Sequence, residues 1–452
     1  MTGLPLIIAF VAAVILMIVA ISKFKVHPFL SIMSVSLILA LVAGIPLTSI
    51  ADVIGAGFSG TFSSIGIVII LGAFIGSVLE QTGAALKLAD MVVKLVGKNN
   101  PELAMELMGW VVSIPVFCDS GFVILDPIRR ALVRRTGTSS VAMTVALSTG
   151  LYISHVFIPP TPGPIAAANT LGIGDNLLLV MGLGLLCSIF PLIAGLVYAK
   201  FIGKREKSAD ELSDSGEIVK TYEELVAEYG KLPSGLNSLA PLLVPVVLMA
   251  LGTIASVVGF TGFLLDLCVF LGKPVIALAA GTILAVIQLA TAKKMDQFYD
   301  ITNDTLKTVG PILFVTAAGG VLGKVISSSD LVNFIKDNAT ALQTLGLFFP
   351  FLLAAILKTA QGSSTVAITT TAGILAPLMA TLGFVTGLDA ALVVIAIGAG
   401  AMTVSHANDS YFWVVTNFGE LEPQDGYKTQ TAGTLVIGLA AMINVIILSI
   451  IF

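Results

Sequence analysis

Apolar runs of roughly 17–25 residues recur along the chain, and few folds can absorb them. They lie near 3–22, 28–47, 61–80, 139–157, 177–199, 238–258, 273–292, 309–327, 388–405 and 430–451. Coiled at about 1.5 Å per residue, each run matches the hydrocarbon thickness of a bilayer, whereas barrel strands would alternate over about ten residues. Composition agrees: 56% of the 452 residues are hydrophobic and 11% are charged, against about 25% charged in soluble domains. The expected class is an all-α polytopic membrane protein. The first run is expected to remain as a span, because no basic segment precedes it and KFK, not a small-residue cleavage site, follows it. Cys118, Cys187 and Cys268 show no metal or disulfide spacing, so neither a metal nor a cofactor is expected.

The net charge of −4 says little about partners, but the placement of the charges says more. When the runs are threaded in order, KFK at 23–25, Lys87, Lys94, Lys98, RRALVRR at 129–135, KFIGKREK at 200–207 and KK at 293–294 fall on one side. The positive-inside rule makes that side cytoplasmic and starts the chain outside. Only Lys273 and Lys336 fall opposite. The threading requires that the short runs 103–117 and 120–133 do not each cross. They form a hairpin opening to the cytoplasm, with Cys118-Asp119-Ser120-Gly121 at its tip. A matching pair, 341–357 and 363–380, surrounds Gln361-Gly362-Ser363-Ser364-Thr365. Such backbone is tolerated at membrane depth only when buried in protein or facing a watery cavity.

The polar stretch 203–237 divides the chain, as a cytoplasmic loop with one short amphipathic helix at EIVKTYEELVAEYG. The halves look related. GIVIILGAFIG (66–76) pairs with GPILFVTAAGG (310–320), CDSGFVI with QGSSTVA (361–367), and SHV (154–156) with SHA (405–407). Because the threading runs one copy inward and the other outward, the repeat is inverted, a hallmark of secondary transporters with broken helices. The expected organisation is scaffold helices at 1–56, a transport repeat with the first hairpin at 57–202, and the loop at 203–237. Scaffold helices at 238–300, a second repeat with its hairpin at 301–429 and a terminal helix at 430–452 follow.

Polar residues gather at four breaks: the two tips, Ser154-His155 running into PPTPGP (159–164), and Ser405-His406-Ala407-Asn408-Asp409-Ser410. Pro159, Pro160, Pro162 and Pro164 remove backbone donors and open the chain. Helix N-termini beginning in Ser120-Gly121 and Ser363-Ser364-Thr365 favour an anion, and glycine permits close backbone approach. The candidate substrate-binding residues are Asp119, Ser120, Gly121, His155, Thr161, Gly163, Ser363, Ser364, Thr365, His406, Asn408 and Asp409. Asp119, His155, His406 and Asp409 are also candidate proton carriers, since intramembrane ionisable groups mark relays or substrate sites. Competing structural roles stand beside these. Single Ser and Thr side chains commonly bond the preceding turn, and Lys358 could pair with a carboxylate instead of substrate. Asp126 reads as a helix-surface ion pair with Arg130, His27 as interfacial, and GAFIG as close helix packing rather than a dimer seam.

At PVFCDSGFVIL (115–125), HVFIPPTPGPIAAA (155–168), QGSSTVAITTTAGIL (361–375) and SHANDSYFWVV (405–415) the sequence resembles the gluconate permease (GntP) family of the ion-transporter superfamily. The resemblance runs nearly end to end. It implies import of sugar acids such as gluconate, typically with protons, through two hairpin tips at a central site, an elevator-like transport domain and a dimeric scaffold. Two departures fall on the expected site. Members commonly carry an acid followed by Val-Gly where this chain has Asp119-Ser120-Gly121, and often Pro-Pro-His-Pro where it has Pro159-Pro160-Thr161-Pro162.

The resulting expectation is a multi-pass inner-membrane secondary importer, a proton symporter of gluconate or a related sugar acid, working as a homodimer and not as an enzyme. A carboxylate suits the hairpin N-termini, and hydroxyls suit Ser, Thr, Asn and Asp. The alternatives are sodium coupling with a smaller hydroxy acid such as glycerate, an intramembrane Ser–His enzyme, and a channel. The enzyme is disfavoured because adjacent residues on a helix do not face each other. No Walker-type motif appears, so a nucleotide-driven pump is not expected, and no nucleic-acid partner is indicated.

Overall fold

The structure is a computed structural model that describes residues 4–88, 91, 100–209, 232–258, 261–330, 340–406 and 409–451. Among these every regular element is helical. The amphipathic helix expected within the polar stretch lies outside the described residues. Among the described residues six helical stretches are long and apolar enough to cross a membrane, and shorter apolar helices accompany them.

α1 (Leu4–Ser22) and α2 (Pro28–Val42) flank the KFK turn, where His27 Nδ1 accepts from the Phe29 N–H at 3.2 Å and starts α2. α3 (Leu47–Gln81) runs for 35 residues. The apolar run at 61–80 marks only its second half; the first half is glycine-rich and less apolar but holds no proline to stop the helix. α4 (Pro101–Val112) and α5 (Cys118–Thr136) form the first hairpin, and α5 ends on Gly137 in the left-handed region at φ 67°. α6 (Ser140–Phe157) breaks at Ile158–Thr161, and α7 (Pro162–Thr170) restarts on a proline, which a first helical turn tolerates. The run at 177–199 is two helices, α8 (Leu177–Cys187) and α9 (Ile189–Ile202). They meet at Ser188, whose hydroxyl donates to the Gly184 carbonyl at 2.7 Å.

α10 (Gly235–Val258), α11 (Phe263–Gly272) and α12 (Pro274–Thr291) come next. The ten-residue α11 is too short to register as a span. The second half then repeats the element order of the first: α13 (Phe298–Ser327), the hairpin α14 (Phe348–Gln361) with α15 (Ser364–Leu375), α16 (Gly387–Met402), a break, α17 (Ser410–Phe418) and α18 (Ala432–Ile451). The boundaries expected at 56/57 and 300/301 fall inside α3 and α13, each a continuous helix.

Every residue of α6 is buried, as is α16 from Ala390 to Met402, so these two helices form the centre. They meet closely, since a Cβ on Gly398 would stand 2.7 Å from the Val156 carbonyl. The hairpins cross over between halves: α15 packs on α7, and α5 packs on α17. GAFIG on α3 seats this arrangement, because a Cβ on Gly72 would meet the Pro160 carbonyl at 2.9 Å and one on Gly76 the Pro115 carbonyl at 2.1 Å. Outside, large apolar side chains such as Ile8, Val197, Leu264, Ile287 and Ile443 are exposed, as a lipid-facing surface requires.

The far end of α5 corrects one expectation. Asp126 is buried rather than on the surface, and it accepts from both Arg129 Nε (2.6 Å) and Arg130 Nε (2.7 Å). Arg129 also donates to Ser140 and to the Phe418 carbonyl, while Arg130 reaches Glu420. The cluster ties the first hairpin to the end of α17. It is buried because α17 and its following turn cover that face.

Candidate functional site

Each of three chain breaks ends by starting a helix. At the first tip, Ser113 Oγ donates to the Val116 carbonyl at 2.9 Å, Phe117 is extended, and α5 begins at Cys118. This puts Asp119 and Ser120 in a first turn, where the helix dipole favours negative charge. At the second tip Gly362 takes φ 82°, a left-handed conformation that glycine adopts without strain. Ser363 then caps α15, accepting from the Val366 N–H at 3.3 Å. At the third, Asp409 caps α17, its Oδ1 accepting from the Tyr411 N–H at 3.1 Å.

These three N-termini converge on one cavity of about 360 Å³. Its wall carries Phe117, Cys118, Asp119 and Ser120 from the first tip, Ser363, Ser364 and Thr365 from the second, and Asp409, Ser410 and Tyr411 from the third. Tyr152 and His155 from α6 and Thr308 and Ile312 from α13 complete it. The wall thus offers hydroxyls, two phenols, an imidazole and two carboxyl groups beside three partial positive charges, a set suited to a small hydroxylated anion.

The two acids in this wall differ. Asp409 Oδ2 accepts from the fully buried Lys358 Nζ at 2.5 Å and from Ser405 Oγ at 2.5 Å, while Oδ1 caps α17. Lys358 Nζ also donates to the Gly362 carbonyl at 2.7 Å. Lys358 therefore holds the second tip against the third, and three hydrogen bonds from the protein already engage Asp409. Among the described residues no cation pairs with Asp119 in this way: its Oδ1 has no hydrogen-bond partner, and Ser410 bonds its side chain. His155 is buried with Nδ1 unpartnered, between the Phe117 ring (5.9 Å) and the Tyr152 ring (6.5 Å).

Seven of the twelve residues singled out in the sequence share this cavity: Asp119, Ser120, His155, Ser363, Ser364, Thr365 and Asp409. Gly121 faces away, its position for a Cβ lying 2.6 Å from Leu151 Cδ2. Thr161 spends its hydroxyl on the Ile158 carbonyl at 2.7 Å, and Gly163 makes room for Ile368 of α15. His406 Nε2 lies 2.9 Å from the Thr359 carbonyl, outside the wall. Asn408 lies outside the described residues. Seven wall residues were not among the twelve: Phe117, Cys118, Ser410 and Tyr411, which adjoin the polar breaks, and Tyr152, Thr308 and Ile312 on the helices behind them. Tyr152 stands three positions before His155, a spacing that puts both on one helix face, so the signal was present. Thr308 and Ile312, four apart on α13, gave none.

A second cavity of about 420 Å³ adjoins the first through Phe117, Ser120 and Thr308. It lies between the end of α3 and the start of α13 and is lined by Glu80, Asp300 and Asp304.

The family model described as GntP family permease matches residues 4–451. The chain belongs to the GntP family of permeases. The permease is 31% identical to the low-affinity gluconate transporter of Escherichia coli K12 over 98% of both chains. It is 32% identical to the inner membrane permease YgbN of the same organism, again over 98% of both. The solved structure of the Alcanivorax borkumensis YdaH transporter shares the fold, with TM-score 0.64 at 14% identity, covering 94% of this chain and 97% of that one. The chain is thus a multi-pass membrane transporter and not an enzyme.

Proposed function

We propose that this permease imports gluconate or a closely related sugar acid across the inner membrane together with protons. The observation that carries the reading is the convergence of three helix N-termini on one hydroxyl-rich cavity, together with relatives named for gluconate. The N–H ends hold the carboxylate, and Ser120, Ser363, Ser364, Thr365, Ser410 and Tyr152 bond the hydroxyls.

Coupling follows from charge. Carrying one negative charge inward against the membrane potential costs about 2.3 kcal/mol per 100 mV, so uptake requires a co-transported cation. Within the wall the Lys358–Asp409 pair is balanced, which leaves Asp119 as the charge that an anionic substrate meets. A proton on Asp119 removes the repulsion and makes substrate binding favourable, linking the two without direct contact.

The repeated element order and the reciprocal packing of α5 on α17 and α15 on α7 support an inverted repeat. Residues 57–202 and 301–429 then form a transport domain that moves as an elevator against a dimeric scaffold of 1–56 and 238–300, with α3 and α13 joining the two as unbroken helices. The cavity lined by Glu80, Gln81 and Asp300 lies next to Lys294, whose Nζ donates to the Gln81 carbonyl at 2.7 Å, and the basic-residue pattern assigns that lysine to the cytoplasm, which supports an inward-facing reading.

The test is uptake into proteoliposomes. Labelled gluconate should exchange with internal gluconate and accumulate under an inward proton gradient, with a protonophore abolishing the accumulation. Uptake that ignores the proton gradient and follows sodium would overturn the coupling. Failure of gluconate and related sugar acids to exchange at all would overturn the substrate.

A further inference from the structure

Glu106 is a fully buried carboxyl that the transport reading does not use. It sits midway along α4, the first arm of the first hairpin, and enters the seam between α6 and α9. The seam is fitted to it. A Cβ on Gly195 of α9 would stand 2.5 Å from Glu106 Oε1, so only glycine leaves room for the carboxyl. A Cβ on Gly150 would stand 2.0 Å from the Glu106 carbonyl, so α6 and α4 already touch along their backbones.

Among the described residues Glu106 Oε2 has no hydrogen-bond partner, and Oε1 has one, Thr149 Oγ1 at 3.2 Å. Thr149 Oγ1 is also 2.9 Å from the Val145 carbonyl and 3.1 Å from that of Ala146. A threonine hydroxyl owns one proton. That proton has three acceptors in reach, and the two carbonyls are nearer than Glu106 Oε1; when it goes to a carbonyl, Oγ1 is left as an acceptor for Glu106. A carboxylate cannot donate; a carboxylic acid can. On the helices packed against α4 the titratable side chains among the described residues are Cys118, Asp119, Asp126, Arg129, Arg130 and Arg134 on α5, Tyr152 and His155 on α6, and Tyr198 and Lys200 on α9. Asp126 holds Arg129 and Arg130, Tyr152 and His155 face the substrate cavity, and Tyr198 donates to the Lys428 carbonyl. None of them bonds Glu106.

We infer that Glu106 is a proton-binding site outside the substrate cavity: it takes a proton from water as α4 closes on α6 and α9, and it loses that proton only when the arm parts from them. The proton resides on Oε1 and is donated to Thr149 Oγ1, which donates in turn to the Val145 carbonyl. A bare carboxylate buried there, with one hydroxyl as its protein hydrogen-bond partner, carries the large desolvation cost of an unpaired charge. Protonation of Glu106 therefore holds the first hairpin in the arrangement described here.

Infrared spectroscopy of the purified protein in lipid nanodiscs at neutral pH tests this without substrate, so its failure leaves the transport reading untouched. The wild type should show a carboxylic-acid C=O stretch that Glu106→Gln removes and Asp119→Asn retains. If the Gln variant does not fold, Thr149→Val decides, because losing the acceptor should move the band to higher frequency. A band that Glu106→Gln leaves intact, or that Thr149→Val leaves in place, overturns the proposal. Stability gives a second readout. A group that is protonated when folded and ionised when unfolded binds more protons in the folded state, so stability falls as pH rises through neutrality. Glu106→Gln should flatten that slope, and equal slopes overturn the proposal.

Discussion

Lys358 Nζ lies 2.5 Å from Asp409 Oδ2, joining the arm before the second hairpin tip to the cap of α17 deep inside the protein. Both side chains are buried, at 0% and 6% exposure. Removing one member of such a pair leaves an uncompensated charge, which costs roughly 3–5 kcal/mol. Lys358→Met should therefore lower the melting temperature in detergent sharply, and Lys358→Met/Asp409→Asn should recover part of that loss. A double variant as unstable as the sum of the two singles would show that the residues do not act as a pair.

The two acids should separate in transport. Asp409 is occupied by Lys358, Ser405 and the Tyr411 N–H, whereas Asp119 keeps an unpartnered oxygen in the cavity wall. Asp119→Asn mimics the protonated acid and should retain gluconate exchange between vesicle compartments while losing accumulation driven by pH. Asp409→Asn should weaken both, because it loosens the tips themselves. Full proton-driven accumulation by Asp119→Asn would move the coupling proton elsewhere.

The same contrast separates what could be read in the sequence from what could not. The apolar runs located the spans, and the oddity of CDSG, QGSST and SHANDS inside apolar surroundings located the chain breaks. Those signals are local. Which acid keeps a free oxygen depends on a lysine 51 positions away, and no spacing rule reports that. Thr308 was illegible for a related reason, since a single threonine on a 30-residue helix gains meaning only when the first tip comes to rest beside it. Gly163 and Thr161 looked like site residues because the proline run opens the chain. In the folded protein that opening is filled by Ile368 and closed by the Ile158 carbonyl.

Substrate discrimination should follow hydroxyls. A wall of Ser, Thr and Tyr groups is left with unpaired donors and acceptors when the ligand lacks hydroxyls, and each hydrogen bond lost costs about 0.5–1.5 kcal/mol. Several losses together should make hexanoate a weaker competitor than gluconate by on the order of 100-fold or more. Competition against labelled gluconate uptake measures this ratio directly. Equal inhibition by the two acids would mean that the hydroxyls are packing groups and that only the carboxylate is recognised.

Position 76 offers a test of the seat beneath the first tip. A Cβ there would stand 2.1 Å from the Pro115 carbonyl, a backbone atom two residues before the Phe117 cap of α5. The carbonyl cannot rotate away as a side-chain end could, so Gly76→Ala must push the tip, Asp119 and Ser120 outward. Overpacking of this kind costs about 1–3 kcal/mol, and a displacement of about 1 Å can cost on the order of 100-fold in rate when geometry is critical. Gly55 on the same helix is the matched control, with nothing within 4 Å of an added Cβ. Gly76→Ala should therefore lose most gluconate exchange while remaining folded by circular dichroism, and Gly55→Ala should transport like the wild type. If both variants transport normally, the first tip does not depend on its contact with α3, and the cavity wall must be held from the α17 side alone.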